Sequence, residues 1–241
     1  MKAPTISIII PVLNEAATIE ETLTRVQDAS DVEVIIVDGG SRDETVAIAN
    51  YWSKILAPSL PIRVISAAAG RANQMNAGAA IATGDILLFL HADTHLPTSF
   101  DSLVRQALQN PGTIAGAFEL RIDAQLRGLR WVEKMVNMRS RFFSMPYGDQ
   151  AIFLKATIFH EVGGFPNLAI MEDFELIRHL KRQGKIAIVS ASVLTSGRRW
   201  QKLGVLKTTL INQLIIAGYF LGISPSQLVL WYRQGGFKRT Q

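Results

Sequence analysis

The chain contains no cysteine. Disulfide scaffolds, thiolate metal cages and cysteine nucleophiles are therefore excluded, and the sequence suits a reducing compartment. Charged residues are scarce, 19% against 48% hydrophobic, which excludes a disordered chain and a coiled coil. Long apolar runs are missing too: the longest, Leu214 to Ile223, has ten residues, whereas crossing a bilayer takes about 20. Met1 to Pro11 carries one lysine, a short apolar run and no small-residue cleavage site, so a signal peptide is not expected and the chain reads as cytoplasmic. No G-x-G-x-x-G or G-x-x-x-x-G-K-[ST] occurs, which argues against dinucleotide and P-loop sites. The G-x-S-x-G elbow of esterases is missing as well. No Arg/Lys stripe with interleaved aromatics is visible, so a nucleic-acid partner is not expected.

What is present begins with an alternation of short β-branched runs and helical patterns, the mark of βαβ units and a parallel sheet. The strands are expected at Ile6 to Ile10, Val32 to Val37, Ile62 to Ile65 and Ile86 to Leu90, each almost wholly apolar, as strands covered on both faces are. Asn14 is expected to cap the first helix and Ser41 the second, with Gly84 stopping the third. Beyond Pro97 the pattern is mixed, with a strand over Ile114 to Ile122, a basic helical segment over Leu126 to Arg141, a helix from Glu172 to Arg182 and a strand over Ile186 to Val189. The fold class is α/β: a Rossmann-like, mostly parallel sheet flanked by helices over residues 1–202, followed by a hydrophobic helical tail over 203–241. The tail reads as a hairpin pivoting at Ser224-Pro225. It either packs on the domain or a partner subunit, or lies in a membrane interface anchored by Trp231, Tyr232 and flanking cations, among them Arg233, Lys238 and Arg239.

In open parallel sheets ligands bind beyond the carboxyl ends of the strands. Here those ends carry Pro11 to Glu15, Asp38 to Ser41, Ala67 to Arg71 and His91 to His95. Acids, a cation and small residues on one rim make a pocket for a polar, anionic ligand, in keeping with 25 Lys and Arg against 20 Asp and Glu. A carboxylate such as Asp93 beside a diphosphate calls for Mg²⁺ or Mn²⁺, which take one or two protein oxygens and complete their shell with phosphate and water.

Four segments carry a resemblance: Ile-Ile-Ile-Pro-Val-Leu-Asn-Glu, Val-Asp-Gly-Gly-Ser-Arg-Asp-Glu-Thr, Gly-Arg-Ala-Asn-Gln-Met-Asn-Ala-Gly and Gly-Asp-Ile-Leu-Leu-Phe-Leu-His-Ala-Asp. In order and spacing they resemble the motifs of family 2 glycosyltransferases with the GT-A fold, over about residues 5 to 200. The His-Ala-Asp form and the Gly-Asp-Gln and Met-Glu-Asp segments are most similar to a small bacterial branch associated with radical-SAM and arsenosugar gene neighbourhoods. The resemblance implies transfer, with inversion, from a UDP- or GDP-sugar to an acceptor hydroxyl or carboxylate. It places Asp38 at the base or ribose, Arg71 at the base or diphosphate, and Pro11, Asn14 and Glu15 along the nucleotide wall. Asp38 also reads as a plain turn aspartate and Asn14 as a helix cap. The family's metal motif is Asp-x-Asp, and His91 stands where its first Asp belongs, so Asp93 is the expected metal ligand and His95 is a candidate second one. Glu172-Asp173 matches the Glu-Asp motif, making Asp173 the expected general base. Asp149 and Gln150 would border the acceptor. Ser196-Gly197-Arg198-Arg199-Trp200 resembles the Gln-x-x-Arg-Trp motif with Ser for Gln, so Arg199 would meet the leaving group and Trp200 the acceptor. Lipid and small-molecule acceptors both stay open. The alternatives are a sugar nucleotidyltransferase, whose glycine-rich, lysine-containing first loop is missing here, and a nucleotide-binding, membrane-recruited protein without catalysis.

Overall fold

The computed structural model describes residues 3–57, 59–233 and 235. Met1, Lys238 and Arg239, to which the sequence assigned the start of the chain and tail charges, lie outside the described residues.

The chain opens with β1 (Ile6–Val12), α1 (Ile19–Thr24), β2 (Val32–Asp38), α2 (Thr45–Leu56), β3 (Ile62–Ser66), α3 (Arg71–Ile81) and β4 (Ile86–Phe89). It continues through β5 (Thr94–His95), α4 (Phe100–Gln109), β6 (Thr113–Asp123), α5 (Leu129–Phe143), a 3-10 turn at Gly148–Gln150, β7 (Phe153–Lys155) and α6 (Ala156–Glu161). It closes with α7 (Glu172–Leu180), β8 (Lys185–Ser196), α8 (Arg198–Leu203), α9 (Val205–Phe220) and α10 (Pro225–Arg233). One sheet has the order β3-β2-β1-β4-β7-β6-β8-β5. Its first four strands are parallel, and β7 pairs antiparallel with both β4 and β6.

The chain runs outward from β1 to β2 and β3, then returns to place β4 on the other side of β1. This reversal opens a crevice between the carboxyl ends of β1 and β4, where a ligand reaches backbone that helices cover elsewhere. Alternation along β1 supports the sheet from both sides. Ile6, Ile8 and Ile10 pack with Leu23, Ala49 and Val104, whereas Ile9 packs with Met75, Leu87 and Leu176. The second layer is close: a Cβ on Gly78 would lie 2.5 Å from Ile9 Cγ2, so glycine lets α3 settle against β1 and carries Arg71, at its first turn, to the crevice.

The local readings at the helix starts are corrected. Asn14 does not cap α1, which begins at Ile19. It adopts a left-handed φ of 57°, its Oδ1 accepts from Arg42 N at 2.8 Å, and its own N–H donates to Ser41 Oγ at 2.9 Å. Ser41 thus clasps the first loop instead of capping α2. The N-cap position is Glu44, without a side-chain cap, and Asp43 just before it turns the chain into α2: its Oδ1 accepts from Thr45 N, and hydrogen bonds from Thr45 hold its carboxyl below the usual range. Gly84 lies three residues past α3, and a Cβ there would stand 2.7 Å from Ser7 N. The last strand is longer than the sequence suggested, because a bulge between Phe118 and Glu119 lets β6 stay paired with β8 to Ser196.

The tail forms a helix hairpin, and α10 begins at Pro225. Ile211, Ile215 and Leu228 pack on Ile170, Met171 and Phe174 of the loop and helix that carry Asp173. No helix among the described residues is long and apolar enough to cross a membrane.

Candidate active site

Two cavities meet at the crevice. A cleft of about 640 Å³ is lined by Pro11, Glu15, Gly70 and Gln74 from the strand ends and by Val229 and Arg233 from the hairpin. A neighbouring cavity of about 340 Å³ is lined by Tyr147, Asp149, Asp173 and Trp200 and is walled by Ile215 and Ile216. Arg71, His91 and Asp93 line both. A ligand in one therefore reaches a ligand in the other across these three side chains.

Arg71 sits against buried Glu172, their Nε and Oε1 atoms in contact, and Glu172 Oε2 is buried without a hydrogen-bond partner. Burial opposes the charge on Arg71, but the two acids Glu172 and Asp173 outweigh it and raise its pKa further, so the guanidinium is a fixed cation. His91 is the reverse case. Burial first, then Arg71, pulls its pKa down to about 4 against the attraction of Asp93 and Asp173, so the ring is neutral at pH 7.

Asp173 lies in the first turn of α7, where helix N–H groups favour a carboxylate. Its Oδ1 accepts from Phe174 N at 2.8 Å and its Oδ2 from Gly148 N at 2.6 Å. A Cβ on Gly148 would lie 3.1 Å from Asp173 Oδ2 and 3.3 Å from His91 Nε2, so glycine here keeps the space between carboxylate and imidazole open. Asp149 Oδ1 is buried without a partner, and desolvation, then the nearby Asp173, pushes its carboxyl up to about 6 despite Arg139 and Arg71. Arg139 stacks over the Tyr147 ring at 3.7 Å.

Asp93 is held by a residue to which the sequence gave no role. Arg198 NH2 lies 3.0 Å from Asp93 Oδ2 and 3.0 Å from Glu15 Oε2, bridging the ends of β4 and β1. The signal lay in the same Ser-Gly-Arg-Arg-Trp segment, one position before Arg199. Arg199 itself stacks on Tyr232 at 3.7 Å and donates to its carbonyl at 2.9 Å, pinning α10 over the cavity. The hairpin's share of the lining carried no signal in the sequence, since Ile215 and Ile216 look like any apolar helix residues.

Other candidates fall elsewhere. Asp38 is buried and accepts from Gly40 N at 3.0 Å and Ser41 N at 3.1 Å, shaping the loop beside the cleft without lining it. Gln150 is fully buried, accepting from Ser140 Oγ and donating to Phe118 O at 2.8 Å each, so it is tied up below the cavity floor. His95 lines neither cavity, and its Nδ1 is 3.6 Å from Glu21 Oε1. The i, i+2 argument that would place it with Asp93 fails because the chain turns at Ala92-Asp93, where Thr94 N donates to His91 O. No group of three or more His, Asp or Glu that could cage a metal exists among the described residues. Arg198 takes Asp93 Oδ2, so Asp93 Oδ1, beside space for a diphosphate, is the oxygen that fits Mg²⁺ or Mn²⁺, which need little more from protein.

A mostly parallel sheet with a polar cleft at its switch point and a carboxylate-lined cavity beside it defines a GT-A-type fold, and solved structures agree. A Pyrobaculum calidifontis mannosyltransferase in complex with GDP-Man and Mn²⁺ superposes with a TM-score of 0.70 at 20% identity, over 90% of this chain and 65% of that one. Staphylococcus aureus TarS with UDP-GlcNAc gives 0.64 at 16%, over 80% of this chain and 58% of that one. The chain belongs to glycosyl transferase family 2, whose model matches residues 7–168. A PGL/p-HBAD biosynthesis glycosyltransferase of Mycobacterium bovis is 46% identical over 112 residues, 44% of this chain and 42% of that protein. An undecaprenyl-phosphate 4-deoxy-4-formamido-L-arabinose transferase of Shewanella sediminis is 28% identical over 164 residues, 65% of this chain and 49% of that protein. The chain thus spans less than half the length of these curated relatives.

Proposed function

We propose that the chain transfers a sugar, with inversion, from a nucleoside diphosphate sugar in the larger cleft to an acceptor hydroxyl in the smaller cavity. The observation that carries this reading is the sharing of Arg71, His91 and Asp93 by both cavities. Pro11 and Glu15 wall the nucleotide, Asn14 and Asp38 shape the loops around its base, and Arg71 faces the diphosphate with a charge that cannot be lost. Asp173, its two oxygens already steered by Gly148 N and Phe174 N, takes the proton as the acceptor oxygen bonds to the anomeric carbon. The bond from that carbon to phosphate breaks on the opposite face, and the nucleoside diphosphate leaves with the electron pair. Neutral His91 lies between the two ligands without adding a second cation. Asp93 would hold a Mg²⁺ or Mn²⁺ ion, which when bound offsets charge developing on the leaving diphosphate. The donors of the Pyrobaculum and Staphylococcus neighbours, GDP-Man and UDP-GlcNAc, support a nucleotide sugar.

The acceptor wall of Trp200, Ile215 and Ile216 favours an alcohol carried on an apolar body, and a relative named for undecaprenyl-phosphate supports a lipid. The tail assigned to residues 203–241, whose described part is the hairpin of α9 and α10, then roofs the site and lets the chain rest peripherally on the cytoplasmic face of a membrane. The likeness to the radical-SAM and arsenosugar-associated branch rests on the His-Ala-Asp, Gly-Asp-Gln and Met-Glu-Asp segments, which supply His91, Asp93, Gly148, Asp149 and Asp173. Mass spectrometry of products from a panel of UDP- and GDP-sugars with Mn²⁺ tests the reading: a sugar-mass increment on an added alcohol or lipid is expected, and a panel that yields nucleotide binding without transfer overturns it.

A further inference from the structure

Helix α5 sets Leu129 and Val136 against the core but turns a second apolar row outward. Its inward side carries polar groups that serve the backbone of β6: Glu133 Oε1 accepts from Ile122 N at 2.6 Å, Asn137 takes Leu120 N at 2.8 Å and returns a bond to Leu120 O at 3.0 Å, and Ser140 reaches Gln150. Its outward side carries Trp131, Met135, Met138 and Phe142, spaced four, three and four residues apart along a single face. Trp131 is 70% and Phe142 78% exposed. Exposed apolar side chains of this size in one row mark a contact surface, not a core.

Charge says what covers it. Of the five cations between Ala124 and Gly148, Arg130 pairs with the buried acid Glu133, Arg141 pairs with Glu119 at 2.6 Å and Arg139 lies against Tyr147, while Arg127 and Lys134 stand exposed beside the apolar row. Lys134 lies over the Trp131 ring at 5.4 Å. The surface continues onto the hairpin. A Cβ on Gly128, before α5, would be 3.8 Å from Val205 at the start of α9, and Met145 and Tyr147, just after α5, pack with Ile170, Ile211 and Ile215. On α9, Leu206 and Leu210 are exposed, and the sequence holds no Asp or Glu after Glu175. An apolar row edged by cations, with its only acid turned inward, is complementary to anionic headgroups above an acyl layer.

We propose that the outer face of α5 docks onto an anionic lipid bilayer and that the acceptor cavity, which Tyr147 joins to the end of α5, faces that bilayer. This deepens the peripheral contact proposed above and rests on it, naming a surface outside the tail. Flotation of the full chain with vesicles of phosphatidylglycerol and phosphatidylcholine, against phosphatidylcholine alone, is the test. Binding to the anionic vesicles is expected, falling more than about tenfold in Trp131→Glu/Phe142→Glu, with an unchanged circular dichroism melt showing that the variant folds. A double variant that binds like the parent overturns the inference, and if Leu206→Glu/Leu210→Glu then abolishes binding, the membrane reading survives on the tail alone. Failure of the parent to bind either vesicle overturns both. A parent that is dimeric by light scattering, binds no vesicle and turns monomeric on Trp131→Glu/Phe142→Glu assigns the face to a second copy of the chain.

Discussion

The larger cleft takes its strand-end walls from residues a few positions beyond β1, β4 and the start of α3, whereas the smaller cavity gathers Tyr147, Asp173, Trp200, Ile215 and Tyr232 from five separate segments. The first is a consequence of topology: once β4 pairs beside β1, its walls follow from local chain direction. The second depends on long-range packing, with Arg199 holding Tyr232 and the Ile170 to Phe174 segment bedding the hairpin.

The largest effect that sharpens this contrast is expected from Asp173→Asn. Losing the base should lower the turnover number by about 10² to 10⁴-fold, while calorimetry finds the nucleoside diphosphate bound as before. Next, chelation with EDTA or Asp93→Asn should cut transfer by about 10²-fold, with Mn²⁺ restoring the parent but not the variant. A smaller and more selective change is expected from Ile216→Arg at the cavity wall, a partly buried position. It should raise the acceptor KM about tenfold and leave the donor KM unchanged, and a shift in both would erase the distinction between the two cavities.

The smallest effect concerns stability. Asp149 holds its proton up to about pH 6 in the folded chain, whereas an ordinary aspartate loses it near 4. The native state thus binds more protons than the unfolded one across that window, so this group stabilises below pH 4 and loses that contribution as the pH rises towards 6 and beyond. Asp149→Asn should raise the Tm at pH 7 by a few degrees, about 1 to 3 kcal/mol, and flatten the slope of stability between pH 4 and 6. Differential scanning calorimetry across that range checks it.

The same contrast governs what could be read beforehand. The four parallel strands were legible because each is a short, mostly apolar run, and the rim that carries Arg71 and Asp93 because it lies within a few residues of the ends of β3 and β4. Asn14 and Ser41 were misread as caps because a side chain that bonds the next loop has the same composition as one that bonds its own helix. His95 failed for a reason no pattern reveals: a turn between it and Asp93 breaks the alternation. Arg198 was overlooked because its partners, Asp93 and Glu15, lie 105 and 183 residues earlier in the chain. The outward face of α5 was visible only as basic charge, since nothing in a row of Trp, Met and Phe says which way a helix turns.

Gly148 turns all of this to practical use. A single methyl group at that position would press on both Asp173 and His91. Gly148→Ala is therefore the least intrusive way to build a stalled form, one that loads both reactants yet does not consume them, and such a form is what a crystallographer would want for catching donor and acceptor together.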